Sequence, residues 1–174
     1  MDMADIQKGN IKVDIVRNLE QLKKAFNLRR QSFVKEKGIP ENMEFDGNDF
    51  SCTHLLLCVN DEPAGTLRIR YFKDFPKIER LCIDEKFRGQ HLPKYLLDYT
   101  EEYLSQKGYV YFFSYILKDL KDYWLTQGFQ PDPNGQEVKE GNLSLLPVIY
   151  PFKKEKPSLK TISLLSREGN IKSY

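Results

Sequence analysis

An apolar strand-like run, Lys77-Ile78-Glu79-Arg80-Leu81-Cys82-Ile83-Asp84, leads into the basic, glycine-containing turn Phe87-Arg88-Gly89-Gln90-His91-Leu92-Pro93-Lys94. The turn opens a stretch in which Leu92, Leu96, Leu97, Tyr103 and Leu104 recur at helical spacing. Such a turn offers unpaired backbone N–H groups and the positive end of a helix dipole, which together suit a phosphate. Arg88, His91 and Lys94 can add side-chain donors to the same anion. Pro93 has no N–H and removes one donor, although proline is well tolerated in a first helical turn. Elsewhere, Glu41, Glu44, Asp46 and Asp49 make an acidic loop that suits a cationic amine. His54, at a strand start, reads as a packed or capping residue.

The elements that must position these groups follow from periodicity. Ile11, Val13 and Ile15 alternate with Lys12 and Asp14 as in a half-buried strand. Asn18 suits the N-cap of a helix in which Leu19, Leu22, Phe26 and Phe33 recur to about Lys37, stopped by Gly38-Ile39-Pro40. Thr53–Val59 and Ala64–Phe72, joined by Asn60-Asp61-Glu62-Pro63, predict an antiparallel hairpin. Ile78–Ile83 is a third strand and Gln90–Lys107 a long helix ended by Gly108. Val110–Ile116 is nearly continuous in apolar and aromatic residues, as expected of a central strand covered on both faces. Lys118–Thr126 reads as helix and Leu143–Tyr150 as a last strand. Ile162, Leu164 and Leu165 are candidates for one more short strand. The order β-α-β-β-β-α-β-α-β predicts an α/β fold.

The 174 residues suffice for one domain with a substantial core, and 40% apolar with 13% aromatic residues argues for a folded chain. A formal net charge of +2 gives no reason to expect nucleic acid as a partner. Cys52, Cys58 and Cys82 lie in apolar runs without CxxC spacing, so neither a disulfide framework nor a zinc site is expected. Met1 to Gly9 has no apolar run, and no stretch approaches the ~18 apolar residues of a membrane span. A cytoplasmic location without membrane association is expected.

These segments resemble, in order, the GNAT superfamily of acyl-CoA-dependent N-acyltransferases. Leu28-Arg29-Arg30-Gln31-Ser32-Phe33-Val34-Lys35-Glu36-Lys37-Gly38-Ile39-Pro40 is similar to that family's VR-x-x-VFV-x-EQGIP helix segment. The likeness continues through Glu44-Phe45-Asp46, Asp49, His54-Leu55-Leu56, Gly65-Thr66-Leu67-Arg68-Ile69 and Lys77–Ile83. It implies one GNAT-like domain over 10–152, with a mixed, mostly antiparallel sheet and helices on both faces. The lysine-rich segment 153–174 is then a C-terminal extension.

The resemblance also implies a site. The strand carrying Leu81, Cys82 and Ile83 would splay from its neighbour and pair with the pantetheine arm of acetyl-CoA or another acyl-CoA. Arg88, Gly89, Gln90, His91, Leu92 and Lys94 would hold the pyrophosphate, with His91 and Pro93 where the family has glycine or alanine. Glu79 would be the general base, its pKa raised by burial. A backbone N–H near Leu81 would hold the thioester oxygen. Trp124 stands where the family often has a proton-donating tyrosine, which leaves Tyr123, Tyr115 and Tyr111 as phenols for that role; Tyr123 is the nearest in sequence. The acceptor would be a small-molecule or protein amine, and a homodimer is compatible with the family. Two alternatives stay open. One is a degenerate GNAT-fold binding or regulatory module. The other is an acyl-homoserine-lactone-synthase-like enzyme, whose spacing Arg29, Phe33 and Glu44-x-Asp46-x-x-Asp49 match.

Overall fold

The computed structural model describes residues 10–140 and 143–153. Eight strands form one sheet: β1 (Ile11–Ile15), β2 (Thr53–Val59), β3 (Glu62–Tyr71), β4 (Pro76–Ile83), β5 (Tyr111–Leu117), β6 (Gln130–Pro131), β7 (Val138–Glu140) and β8 (Leu143–Pro151). Their order is β1-β2-β3-β4-β5-β8-β6, with β7 also on β8. Every pairing is antiparallel except β4 with β5. Two long helices, α1 (Leu19–Arg29) and α3 (Leu92–Gln106), accompany two short ones, α2 (Glu41–Glu44) and α4 (Lys121–Thr126).

Local chemistry explains these elements. The Asn18 side chain accepts from the Gln21 N–H at 2.9 Å and caps α1. Asn60 and Asp61 both take positive φ, the backbone that a two-residue β2–β3 turn needs to match the strand twist. After Arg29 the helix widens into a π-helical stretch, Arg30–Lys35, and ends before Gly38 at φ +70°.

Alternation along the strands divides the sheet into two chemically different faces. Leu55, Leu57, Leu67 and Ile69 pack under Leu92, Leu96, Leu97 and Leu104 of α3. Leu56 and Cys82 face the other way, with Ala25 and Leu28 of α1 and Phe33. The expected mixed, mostly antiparallel sheet with helices on both faces is present.

Two expectations need correction. On β5 only Phe112, Ser114 and Ile116 are buried, whereas Tyr111 and Phe113 are half-buried and Tyr115 is 38% exposed. The run of aromatics therefore marks a strand with one open face. The expected acidic loop contains α2 and a 3₁₀ turn (Asn48–Phe50), with Glu44 and Asp49 buried. The extra short strands β6 and β7 went unforeseen. Ile162, Leu164 and Leu165 lie outside the described residues.

Candidate active site

The parallel pairing of β4 with β5 consists of one register pair, Lys77 with Phe113. The Ser114 hydroxyl closes this junction by donating to the Ile78 carbonyl at 3.1 Å. Beyond it the strands part, so Glu79 to Ile83 have no strand partner on the β5 side among the described residues. An extended backbone edge of this kind can take an added strand-like ligand.

A β-bulge shapes the same segment. Thr66 pairs with Cys82 and Arg68 with Glu79, so Arg80 and Leu81 together oppose Leu67. Arg80 takes φ +56° to do so. The extra residue resets the alternation, and Glu79 and Cys82 consequently share the α1 side of the sheet.

Ile83 leads through a 3₁₀ turn (Glu85–Phe87), capped by the Asp84 side chain, to Arg88 and α3. Gly89 has φ +78° and His91 φ +55°. Histidine thus adopts a left-handed conformation at a position where the family uses glycine, at a strain of order 1 kcal/mol. The N–H groups of Gly89, Gln90 and His91 have no protein acceptor among the described residues. The turn keeps a phosphate-sized set of donors despite Pro93.

Its side chains divide by role. The side chains of Leu92, Cys82 and Ile83 are buried; the Cys82 thiol is pushed up to about 12 by burial and is unreactive. Leu81 is half-buried against the main core, while Gln90 and His91 are exposed. Arg88 donates to the Ile83 carbonyl at 3.2 Å and to Glu36 Oε2 at 2.6 Å. Lys94 pairs with Asp98 one turn on, within 2.8 Å.

Glu79 sits at the apex of the splay in a network of ion pairs. Its Oε2 accepts from Arg68 Nη2 at 2.8 Å, and its Oε1 lies 2.6 Å from Lys77 Nζ. Burial pushes its carboxyl up, but Lys77 and Arg68 pull it down by more, so it titrates below the ordinary carboxylate range. The expected upward shift is therefore reversed. Arg68, fully buried, also contacts Asp46 at 2.8 Å and Asp49 at 3.0 Å. Arg29, equally buried, contacts Glu44 at 2.6 Å and Asp49 at 2.5 Å. Arg80 reaches Glu44 Oε2 at 2.7 Å, off hydrogen-bond alignment. The acidic segment is spent on internal guanidinium groups, and the idea that it holds a cationic acceptor loses its basis.

Asp49, Cys52 and His54 place donor atoms within 4.8 Å of one another. Both Asp49 oxygens already accept from guanidinium groups, and burial pushes the Cys52 thiol up to about 11. Burial also lowers the His54 pKa. This set is a packed polar cluster whose chemistry is unsuited to a cation.

Tyr123 is 42% exposed, with its ring against Trp124 at 5.0 Å and its hydroxyl pKa raised by burial. Among the described residues, no hydrogen bond or ring contact links it to Glu79. Tyr115 stands two residues beyond Phe113, as Glu79 stands two beyond Lys77, and Lys77 Nζ lies 5.0 Å from the Tyr115 ring centroid. Register thus puts Tyr115 and Glu79 on opposite banks of the opening.

Residues 20–122, more than half of the chain, match the family described as the Acetyltransferase (GNAT) family. The chain belongs to that family. Among GNAT relatives, a Bacillus subtilis (strain 168) protein carrying an acetyltransferase name is 35% identical over 92 residues, 51% of this chain and 63% of that protein. The chain thus spans less than two thirds of that relative's length. A crystal structure of an N-acetyltransferase-named protein from Lactobacillus plantarum has a TM-score of 0.75 at 23% identity, covering 82% of this chain and 98% of that one. The acyl-homoserine-lactone synthase LasI has a TM-score of 0.69 at 15% identity, covering 85% and 93%. Both show the GNAT fold, and the fold alone does not separate their chemistries.

Proposed function

We propose that this chain is an acyl-CoA-dependent N-acyltransferase that moves an acetyl group to a primary amine by direct attack. The observation that carries this reading is the splay beyond Lys77 and Phe113, ending at a turn with three N–H groups that have no acceptor among the described residues. The open β4 edge at Leu81, Cys82 and Ile83 would pair with the pantetheine arm. Gly89, Gln90 and His91 would hold the pyrophosphate through backbone N–H groups, with Arg88 and Lys94 adding charge.

The amine nitrogen attacks the thioester carbonyl, the C–S bond breaks, one proton leaves the amine and one reaches the thiolate. Glu79 is ionised at neutral pH and faces this junction. A carboxylate held by Lys77 and Arg68 is a weak base, so it serves best by accepting from and orienting the amine, directly or through water. The rate then follows the amine's own deprotonation. Tyr123 stays protonated well above neutrality and is our candidate proton donor, with Tyr115 the competing phenol across the opening. Support for donor binding comes from His91, whose left-handed backbone keeps the turn's shape without glycine.

Calorimetric titration with acetyl-CoA and CoA, followed by thiol release with an amine panel, tests the proposal. Micromolar binding and amine-dependent release are expected. Glu79→Gln should lower turnover about 100-fold with donor affinity retained. Donor binding without turnover on any amine would favour the non-catalytic module, and absence of donor binding would end the acyltransferase reading.

A further inference from the structure

The charge at the apex of the splay does not balance, and the imbalance points to the acceptor. Arg70 on β3 and Lys77 on β4 are register partners. Like charges placed directly opposite on neighbouring strands repel unless an anion lies between them. The anion here is Glu79 Oε1, 2.6 Å from Lys77 and 3.6 Å from Arg70. Glu79 is already shared with Arg68, and among the described residues neither Arg70 nor Lys77 has another carboxylate within ion-pair distance. Two half-buried cations, 28% and 19% exposed, thus share one oxygen of a carboxylate that a third cation also holds.

The same place is floored with rings. Phe72 stacks on Phe75 at 5.2 Å, Phe75 meets Phe113 at 5.6 Å and Phe113 meets Tyr115 at 5.0 Å. Arg70 lies over Phe72 and Lys77 over Tyr115. The strip leads from Phe72 and Phe75, between β3 and β4, to Phe113 and Tyr115 on the open face of β5, and Phe72 and Tyr115 are each 38% exposed. An apolar floor bordered by two under-neutralised cations is complementary to a planar apolar body that carries an anion.

Resting on the acyltransferase reading, we infer that the acceptor is a primary amine bearing a carboxylate and an aromatic side chain, with Lys77 and Arg70 as the residues that determine this specificity. The carboxylate completes the charge set of the apex, the ring lies on the Phe72–Tyr115 strip, and the amine is left to face Glu79. A cationic polyamine would meet repulsion at the same point.

Three amines of one skeleton test this: L-phenylalanine, L-phenylalaninamide and 2-phenylethylamine, with spermidine as the cationic contrast. With acetyl-CoA fixed, kcat/KM for L-phenylalanine should exceed that of the other three by about tenfold or more, one charge-assisted contact being worth a factor of that order. Lys77→Met and Arg70→Met should each raise KM for L-phenylalanine while leaving KM for acetyl-CoA unchanged, and Lys77→Arg should restore it. Preference for spermidine or 2-phenylethylamine, or a preference for L-phenylalanine that survives both methionine variants, overturns the inference. Where no amine turns over, equilibrium dialysis of radiolabelled L-phenylalanine against the CoA-bound protein decides, and no retention overturns it. Loss of CoA binding itself is the separate result that removes the underlying acyltransferase reading.

Discussion

The two faces of this sheet bury large side chains by opposite means. Under α3 the contacts are leucine and isoleucine, packed closely enough that a Cβ on Gly65 would lie 2.5 Å from Ile83 Cδ1. Under and beside α1, Arg29 and Arg68 are as buried as any leucine, and their charge is met by Glu44, Asp46, Asp49 and Glu79. Apolar burial is non-directional and tolerates repacking. A buried ion network stabilises only if every member is present and aligned. The splay and the proposed amine site open on the second face, where geometry is fixed by charge.

The largest break in that comparison should come from Arg68→Met, which strands Asp46 and takes one partner each from Asp49 and Glu79. A loss of about 3–5 kcal/mol in urea unfolding is expected, and Arg68→Met/Asp49→Asn should recover part of it. On the opposite face Leu96→Ala should lose about 3 kcal/mol through its cavity, without dependence on salt or pH.

Acid sharpens the contrast. Arg68 depresses Asp46, and guanidinium and ammonium partners outweigh burial to depress Asp49 and Glu79. Their contribution is complete above unfolded values of about 3.9–4.3 and is lost as pH falls through the folded values. His54, lowered by burial, likewise contributes above about 6.5 and loses that contribution on acidification. Glu44, raised by burial, acts in the opposite sense, its contribution lost as pH rises through its folded value. Melting temperature should therefore fall from about pH 5 to about pH 2 in the wild type, with Leu96→Ala tracking it in parallel and Arg68→Met showing a flatter decline.

The smallest effect belongs to the edge of the site. Glu36 competes with any pyrophosphate for Arg88, so Glu36→Gln should tighten CoA binding roughly threefold, the scale of a solvent-exposed ion pair. Titration calorimetry on both proteins would detect it, and an unchanged affinity would separate Arg88 from the phosphate turn.

What could be read in the sequence was local or periodic. Asn18 announced its helix, Asn60-Asp61 its hairpin, and the leucines of α3 their face, because each signal needs only neighbours within a few positions. The charged face was legible only as a list of residues. Arg29 and Arg68 meet Asp49 across 20 and 19 positions, and no spacing rule links them. The acidic segment looked open to a cationic amine for that reason. Aromatic density on β5 suggested burial on both sides because rings prefer shelter, yet the same rings line an open face. The turn at Arg88 and Gly89 was legible from its neighbours, whereas the hold of Glu36 on Arg88 spans 52 positions and left no trace.

The bulge at Arg80 and Leu81 gives β4 two reading frames. Before it, odd positions such as Lys77 and Glu79 look toward the charged face; after it, the even position Cys82 does. Deleting one residue here would leave composition and length almost untouched. It would also keep Cys82 opposite Thr66 and Ile83 opposite Gly65, removing only the left-handed residue at Arg80 and the sharp bend that steers β4 out of its pairing.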